Sequence, residues 1–270
     1  MEKDIGFIGV GNMATSIIAG LIKKSCISSR KIWIYDHKLT TNKSISTKYN
    51  INVANSSEVL TQKVDILFLT LKSSILLKLL KNISNHIKKD TIIVSVAAGI
   101  SISQIEKIVG YDKKIIRAMP NINSSVCEGM TSLTPNKALN QLDIDLIFKI
   151  FKMFSKTTLI DEDLIHTVIG ISSSAPAYVF MFIEAMADAA VLNGMTYLQA
   201  YQFAAQAVKG SAEVLLETKK HPAELKNMVC SPGGTTIEAI KILEQKNFRS
   251  AVIEAIQQCI LKSHKLGKGY

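Results

Sequence analysis

Gly9, Gly11 and Ala14 follow the apolar segment Ile5–Ile8 at the spacing Gly-x-Gly-x-x-Ala, and helix-like residues continue to Lys23. Between a strand and a helix, this spacing predicts a dinucleotide-binding loop. Gly9 would form the tight turn, Gly11 would let a pyrophosphate approach the backbone, and Ala14 would let the helix pack on the strand. The free N–H groups at the start of the helix would then face the phosphates.

An acidic residue, Asp36, ends the second strand-like segment, 22 residues after Ala14. At this position a carboxylate would accept a hydrogen bond from the ribose 2′-hydroxyl of NAD. His37 and Lys38 follow immediately and could instead pair with the 2′-phosphate of NADP. The sequence leaves both cofactors open, and Asp36 could also simply cap a turn.

A second loop rich in small and hydroxyl-bearing residues runs from Cys230 to Glu238, with the sequence CSPGGTTIE, before a helix-like run over residues 239–245. Thr235 and Glu238 have the spacing of a capping box, which predicts a helix N-terminus here. Backbone N–H groups at such a terminus can bind a carboxylate while a threonine hydroxyl bonds a neighbouring atom. The alternative is a capped helix after a Pro-Gly turn, with no ligand.

The remaining polar residues give weaker signals. The five histidines lack the spacing of metal ligands, so we predict solvated or capping roles for them and no metal site. Glu184 and Asp188, four residues apart on one predicted helix, could form an acid pair, but without a third ligand they favour a solvated or interface position. A Ser-His-Asp hydrolase is not indicated, since no Gly-x-Ser-x-Gly motif is present.

Two patterns divide the chain. Before Asp163, short β-branched runs alternate with helix-like stretches, and these runs span residues 5–9, 31–36, 64–71, 91–96 and 115–119. Continuous apolar strands separated by helices predict an α/β domain whose parallel sheet is covered on both faces, over residues 1–162. From Asp163 the periodicity is helical with almost no strand signal, which predicts an all-α domain over residues 163–270.

Small residues on the predicted C-terminal helices would allow close helix approach. We expect these apolar helices to bury their faces against another subunit as well as against each other. The residues are Ala185, Ala187, Ala189, Ala190, Ala204, Ala205 and Ala207.

Composition excludes several classes of protein. The 270 residues are 47% hydrophobic and 20% charged, which fits a folded globular chain rather than a disordered one. The net charge of +10 comes mainly from scattered lysines, with arginine only at positions 30, 117 and 249, so nucleic-acid binding is not indicated. The charge could still attract an anionic substrate.

The compartment is predicted from the cysteines and the N-terminus. Cys26, Cys127, Cys230 and Cys259 are scattered without a Cys-x-x-Cys pair, which indicates free thiols rather than zinc ligands or disulfides. The N-terminus lacks the pattern of a signal peptide. We find no uninterrupted apolar run of bilayer-spanning length, so we predict a cytoplasmic protein without a membrane partner.

These motifs resemble the pyrroline-5-carboxylate reductase family over nearly the whole chain. The block at residues 221–226 (HPAELK) leading to 231–237 (SPGGTTI) is the most specific part of the likeness. The other matching segments are residues 5–14 (IGFIGVGNMA), 95–100 (SVAAGI), 117–121 (RAMPN), 128–131 (EGMT) and 175–178 (APAY).

The resemblance implies a Rossmann-type domain followed by an all-α dimerisation domain, in a homodimer or a ring of dimers. It implies hydride transfer from NADPH, with NADH possible, to the imine carbon of 1-pyrroline-5-carboxylate, a cyclic imino acid, giving L-proline. Thr236 matches the family threonine that bonds the ring nitrogen, and is the implied catalytic residue. The implied substrate-binding residues are Ser231, Gly233, Gly234, Thr235 and Thr236.

The resemblance also implies which residues contact the cofactor. They are Ile8, Gly9, Gly11, Asn12, Met13, Asp36, His37, Lys38, Ser56, Thr70, Leu71, Lys72, Ala97, Ala98, Gly99 and Asn121.

Two departures from the family pattern keep other functions open. Ser173 and Ala175 stand where the family usually has glycines, and a β-carbon there is costly if either position needs positive φ or lets the substrate approach. One alternative is therefore a dinucleotide-binding paralogue with a degenerate substrate site. The other is a β-hydroxy-acid dehydrogenase, which usually carries a catalytic lysine on the first long helix after the Rossmann domain. No lysine lies between His166 and Met195, which argues against it.

Overall fold

The computed structural model describes residues 3–23 and 27–268. The chain divides into two compact units, Met1–Ser174 with Cys259–Tyr270, and Ala175–Gln258. We call them the sheet unit and the helical unit. The functional division predicted between residues 162 and 163 follows the change in sequence pattern and stays a prediction.

The described part of the sheet unit contains one eight-stranded sheet in the order β3-β2-β1-β4-β5-β6-β7-β8. Its strands are β1 (Ile5–Ile8), β2 (Ile32–Tyr35), β3 (Asn52–Val53), β4 (Ile66–Leu69), β5 (Ile92–Ser95), β6 (Lys114–Met119), β7 (Gly129–Pro135) and β8 (Ser155–Leu159). The strands from β3 to β6 pair in parallel, and the order reverses between β1 and β4. The predicted α/β fold with a parallel sheet is confirmed.

Three strands, β3, β7 and β8, were not predicted from the sequence. β7 pairs antiparallel with β6, whereas β8 is parallel to β7. Only a short loop with the 3₁₀ segment Ile122–Val126 joins β6 to β7, and a parallel crossover needs a longer connection. β7 and β8 are rich in serine and threonine, so they lack the apolar run by which the other strands were predicted.

The helices of the sheet unit cover both faces of the sheet. One hydrophobic cluster contains Phe7, Phe68 and Phe151, and a second contains Leu67 and Leu80. The helices are α1 (Asn12–Lys23), α2 (Leu39–Tyr49), α3 (Ser57–Lys63), α4 (Ser73–Ile83), α5 (Ile102–Val109), α6 (Gln141–Lys152) and α7 (Ile165–Val168), followed by a π-helical turn, Ile169–Ser173.

The helical unit consists of α8 (Ala175–Leu192), α9 (Tyr197–Thr218), α10 (Pro222–Val229), α11 (Thr235–Gln245) and the first part of α12 (Phe248–Lys268). The predicted absence of strands from this region is confirmed for its described residues. Many large apolar side chains are exposed, among them Phe180, Met181 and Phe203. By length and composition alone, the helical stretch Glu162–Leu192 could cross a membrane.

Candidate active site

The glycine loop lies at the carboxyl end of β1, beside the point where the strand order reverses. In open α/β sheets, ligands bind at this edge and at this switch point. Gly9 has φ +88°, and a β-carbon on it would lie 2.5 Å from the Leu71 side chain. A β-carbon on Gly11 would meet nothing within 4 Å, so the space above this residue is open. The loop therefore combines a tight turn with an accessible backbone, as a pyrophosphate requires.

Thr70 fixes the glycine loop to the next strand. Its hydroxyl lies 2.5 Å from the carbonyl oxygen of Gly9 and 3.1 Å from that of Ile8. Its backbone N–H also donates to Ile8. Ala14 is fully buried at the start of α1, which begins at Asn12, two residues before the predicted start. Met13, beside Ala14, is half-buried. The hydrogen bonds of Thr70 therefore support the glycine loop.

Asp36 uses both carboxylate oxygens within the protein. Oδ2 accepts a hydrogen bond of 2.7 Å from the Val10 N–H, and Oδ1 accepts one of 3.0 Å from the Lys38 N–H. The Asp36 side chain is only 12% exposed. Asn42 anchors the backbone of Asp36 through its own amide. Asp36 thus links the end of β2 to the glycine loop.

His37 and Lys38 follow Asp36 at the start of α2. The His37 side chain is 74% exposed, with Nδ1 3.1 Å from Oδ1 of Asp36. Lys38 is exposed and is the N-cap residue of α2, without a side-chain capping bond. Two basic side chains and a helix N-terminus therefore meet at the end of β2, an arrangement suited to a phosphate.

The turn Ala97-Ala98-Gly99 follows β5 at the same edge. The Ser73 hydroxyl donates to the Ala98 carbonyl, which connects this turn to the start of α4. Gly99 has φ +78°, and a β-carbon on it would lie 3.0 Å from the backbone nitrogen of Gly267 near the end of α12. The Ser73 hydroxyl therefore bonds this turn on one side, and the backbone of α12 approaches it closely on the other. Leu71 is half-buried and Lys72 is exposed beside it.

Two other predicted cofactor residues have structural partners. Ser56 is the N-cap of α3, and its hydroxyl accepts from the Val59 N–H at 3.2 Å. Asn121, after β6, is 5% exposed and its side-chain amide bonds Ser172 and the Met130 backbone. The contacts of Asn121 could not be read from the sequence, because its partners are 9 and 51 positions away, whereas the cap of Ser56 is local, to a residue three positions on.

Ser173 and Ala175 do not need a glycine conformation. Neither is among the positive-φ residues of the described chain. The Ser173 hydroxyl donates to the Pro120 carbonyl at 3.2 Å, so the extra side chain makes a contact of its own. The strain that suggested a degenerate substrate site is therefore absent at these two described positions.

The loop before α11 differs from the prediction at its cap. The helix begins at Thr235, and Gly234 is the N-cap with no side-chain capping bond. The predicted capping box is therefore wrong: Glu238 lies 3.6 Å from Lys241 instead. Because no capping side chain takes them, the N–H groups of the first turn remain available to an anion. Gly233 has φ +67°, and its β-carbon position is open.

The residues around this helix start are accessible. Thr236 and Gly234 are half-buried, whereas Ser231 and Thr235 are exposed. His221, at the start of α10, accepts a hydrogen bond from the Ala223 N–H, in the capping role expected of a histidine. The loop thus presents hydroxyls beside free backbone donors, which is the chemistry of a carboxylate site.

Glu184 and Asp188 are both exposed, in keeping with the solvated or interface position that the sequence favours. Asp188 accepts a hydrogen bond of 3.2 Å from the Tyr197 hydroxyl, which raises the pKa of Tyr197. Among the described residues, no three His, Cys, Asp or Glu side chains are placed to hold a metal ion. Cys127, Cys230 and Cys259 are free thiols, and Cys26 lies outside the described residues.

A histidine pair in the sheet unit was missed. The rings of His166 and His264 are tilted by 32° with centroids 3.9 Å apart, and Nδ1 of His166 lies 2.8 Å from the hydroxyl of buried Ser263. The predicted solvated or capping role is wrong for His166. Burial is the first cause that lowers its pKa, followed by the nearby His264 and Arg117. Nothing in the sequence signals a contact between residues 97 positions apart.

Comparison with known proteins shows what the chain resembles. Residues 162–266 match the family described as pyrroline-5-carboxylate reductase dimerisation. Residues 4–99 match the family described as NADP oxidoreductase, coenzyme F420-dependent. The two matches cover the helical region and the glycine-loop half of the sheet unit.

Relatives match over the full length. The chain is 50% identical over 268 residues to the pyrroline-5-carboxylate reductase of Escherichia coli (strain K12), covering 99% of this chain and 100% of that protein. It is 37% identical to the Methanosarcina acetivorans pyrroline-5-carboxylate reductase, over 99% of each chain. The crystal structure of Plasmodium falciparum pyrroline carboxylate reductase with NADP bound superposes with a TM-score of 0.90 at 29% identity, over 98% of each chain.

Proposed function

The chain belongs to the pyrroline-5-carboxylate reductase family, and from that premise we propose how its residues perform the reaction. The enzyme is an NAD(P)H-dependent oxidoreductase that reduces pyrroline-5-carboxylate to proline, a step of proline biosynthesis. The open backbone above Gly11, at the switch point of the sheet, is the observation that carries the cofactor assignment. We infer that NADPH is the preferred donor and that NADH is also accepted.

The preference for NADPH is supported by the end of β2. Each oxygen of Asp36 already accepts a backbone N–H and the side chain is only 12% exposed, so its carboxylate is less accessible to a ribose hydroxyl. His37 and Lys38 are exposed beside the N-terminus of α2, where a 2′-phosphate would meet positive charge and free N–H groups. Further proposed cofactor contacts at this edge come from Thr70, Leu71, Lys72 and the turn Ala97-Ala98-Gly99.

The substrate carboxylate is assigned to the loop Ser231–Thr236. Its charge matches the free N–H groups at the start of α11 and the hydroxyls of Ser231 and Thr235. Gly233 and Gly234 keep the backbone accessible. Thr236, half-buried one position into the helix, is assigned to the ring nitrogen as a hydrogen-bonding partner.

The chemistry requires positioning more than strong acid catalysis. The bound cofactor supplies a hydride to the imine carbon, while the nitrogen of the protonated imine keeps its proton as the C=N bond becomes single. The loop at Ser231–Thr236 holds the carboxylate and so fixes the ring, and Thr236 orients the nitrogen. Orientation of this kind can lower the barrier by several kcal/mol, roughly 7–11 in well-aligned model reactions.

We also propose that the protein is a homodimer, or a ring of dimers, in the cytoplasm. The match of residues 162–266 to a dimerisation family supports self-association. The exposed apolar side chains of α8 and α9 would then pack against a second copy, which accounts for the apolar stretch without a membrane.

The test follows nicotinamide absorbance during turnover of 1-pyrroline-5-carboxylate by the purified protein with NADPH and, separately, NADH. We expect turnover with both and a higher kcat/KM with NADPH. For T236A we expect kcat to fall about 10- to 100-fold, since one hydrogen bond to a charged group contributes about 1.5–3 kcal/mol. Cofactor affinity should stay within about twofold, and T236S should retain most of the activity. Absence of turnover in folded, cofactor-binding protein would exclude the proposed reaction.

A further inference from the structure

Both polar atoms of the Asn121 side-chain amide form hydrogen bonds within the protein. Oδ1 accepts from the Met130 N–H at 3.2 Å, while Nδ2 lies 3.4 Å from the Ser172 carbonyl oxygen and 3.5 Å from its hydroxyl. The residue is 5% exposed. Asn121 therefore joins β7 and the π-helical turn to the end of β6.

The sequence leaves the Ser172 carbonyl available for this contact. In an α-helix that oxygen would accept from the N–H of residue 176, but residue 176 is a proline and has no N–H. The backbone instead forms the π-helical turn, in which the Ser174 N–H donates to Ile169. The side-chain amide of Asn121 supplies the donor to the Ser172 carbonyl that Pro176 lacks. Single π-turns inside helices occur frequently at functional sites.

This contact lies at the carboxyl edge of the sheet, on the side where we expect the nicotinamide half of the cofactor to bind. In a doubly wound sheet the two halves of a dinucleotide lie on opposite sides of the switch point. The end of β2 carries the proposed phosphate contacts on one side of β1, and β4, β5 and β6 lie on the other. Asn121 directly follows Pro120 after β6, and the Ser173 hydroxyl donates to that proline's carbonyl. The hydrogen bonds Asn121–Ser172 and Ser173–Pro120 thus fix the π-helical turn beside the carboxyl end of β6.

We propose that Asn121 is a positioning residue: it holds the Ser172–Ser174 turn in the geometry that hydride transfer needs, without itself binding the cofactor. The proposal rests on the proposed function. The three serine side chains of this turn are half-buried and lie at the start of the long helix α8. If the Asn121 donor is lost, Ser172 keeps a carbonyl without a partner and the turn can shift by a fraction of an ångström, which is enough to misalign reacting groups.

Asn136 provides a matched control. It is 8% exposed, its Oδ1 accepts from the Ile115 N–H at 3.1 Å, and its Nδ2 donates to the Lys113 carbonyl at 2.9 Å. It lies beside the opposite, amino end of β6. N136A therefore removes the same kind of buried amide from beside the opposite end of β6, far from the carboxyl edge of the sheet.

The experiment measures kcat, the Kd for NADPH without substrate, and the unfolding midpoint for N121A and N136A. We expect N121A to lower kcat about tenfold or more, with the Kd within about twofold, since the glycine loop is untouched. N136A should lose comparable stability and keep its kcat. A similar loss of kcat in both variants would reduce Asn121 to a structural residue. A rise in Kd that matches the fall in kcat would make it a direct cofactor contact. Either result overturns the proposal.

N121D gives a second, independent readout. Ionised, its carboxylate would repel the Ser172 carbonyl; protonated, it could donate to that carbonyl while still accepting from Met130. We expect the ratio of its kcat to that of the wild type to rise as the pH falls from 8 to 5.5. A constant ratio would contradict the proposal, and this test remains decisive if N121A does not fold. An inactive wild-type enzyme would instead refute the proposed function.

Discussion

The Asp36 carboxylate and the Val10 N–H form a hydrogen bond of 2.7 Å between the end of β2 and the glycine loop. From this contact we predict that Asp36 supports the loop, whereas the usual acidic residue at this position would recognise the ribose of NAD. The two roles predict opposite cofactor effects when the carboxylate is removed.

For D36A we expect the Kd values for NADPH and NADH to rise together, each about tenfold, because the loop that receives the pyrophosphate loses a charge-assisted hydrogen bond. D36N should lose less affinity for both dinucleotides, since its amide oxygen can still accept a hydrogen bond from the Val10 N–H. Fluorescence titration with each dinucleotide measures both constants. Weaker NADH binding with stronger NADPH binding would instead support direct ribose recognition.

Lys38 should determine the preference for NADPH. We expect K38A to raise the Kd for NADPH about tenfold and to leave that for NADH within about twofold, because only NADPH carries the 2′-phosphate. The effect should shrink at high salt, since Lys38 is exposed.

K43A is the matched control, because Lys43 is an exposed lysine on α2 itself, beyond its first turn. It should leave both constants unchanged. Equal losses in K38A and K43A would indicate a general effect of charge rather than a phosphate contact.

The parallel part of the sheet and the glycine loop were predictable because their signals are local. Each apolar strand run lies next to its own turn, and the loop motif occupies six consecutive residues. The Ser-Pro-Gly-Gly-Thr-Thr loop could be predicted for the same reason. Its capping box was wrong because Gly234 takes the N-cap position that the spacing gave to Thr235.

The supporting contacts were not predictable because they join distant residues. Thr70 bonds Gly9 across 61 positions, and His166 bonds Ser263 across 97. The π-turn has a local cause, because Pro176 has no N–H to donate to the Ser172 carbonyl. The residue that donates to this carbonyl instead, Asn121, is 51 positions from Ser172. Such pairs depend on the order of the strands, which a single sequence pattern does not determine.

His166 should make the stability of the sheet unit depend on pH. Burial lowers its pKa, and His264 and Arg117 add positive charge nearby, while Glu162 opposes them. Because the folded pKa lies below the unfolded value of about 6.5, the unfolded chain binds more protons as the pH falls through that value. The stabilisation is therefore present above about pH 6.5 and is lost towards the lower folded pKa.

Thermal unfolding at pH 8 and pH 5.5 measures this effect. We expect the midpoint of the wild type to fall on acidification and that of H166Q to fall less, since glutamine cannot take up the proton. H221Q, which changes an exposed histidine of the helical unit, should behave as the wild type does. Equal pH dependence in H166Q and the wild type would contradict the role of His166.

The exposed face of α9 should be an interface between two copies of the chain. Phe203 is 69% exposed, and nearby on the same unit an apolar groove of about 630 Å³ is lined by Val214, Leu215 and Leu225, among others. We expect F203D to raise the dissociation constant of the dimer about 100-fold or more, because a buried unpaired carboxylate and a lost aromatic anchor both oppose association. Light scattering over a dilution series measures the change in mass.

Q202D places the same charge one position away on α9, where the native side chain is already polar and exposed. It should change the mass distribution far less than F203D, since a helix turns by about 100° per residue and a neighbouring position faces another direction. If F203D kept the wild-type mass at every concentration, α9 would not be the interface. If Q202D dissociated the dimer equally, net charge rather than the loss of Phe203 would be responsible, because both variants add one negative charge to the same turn.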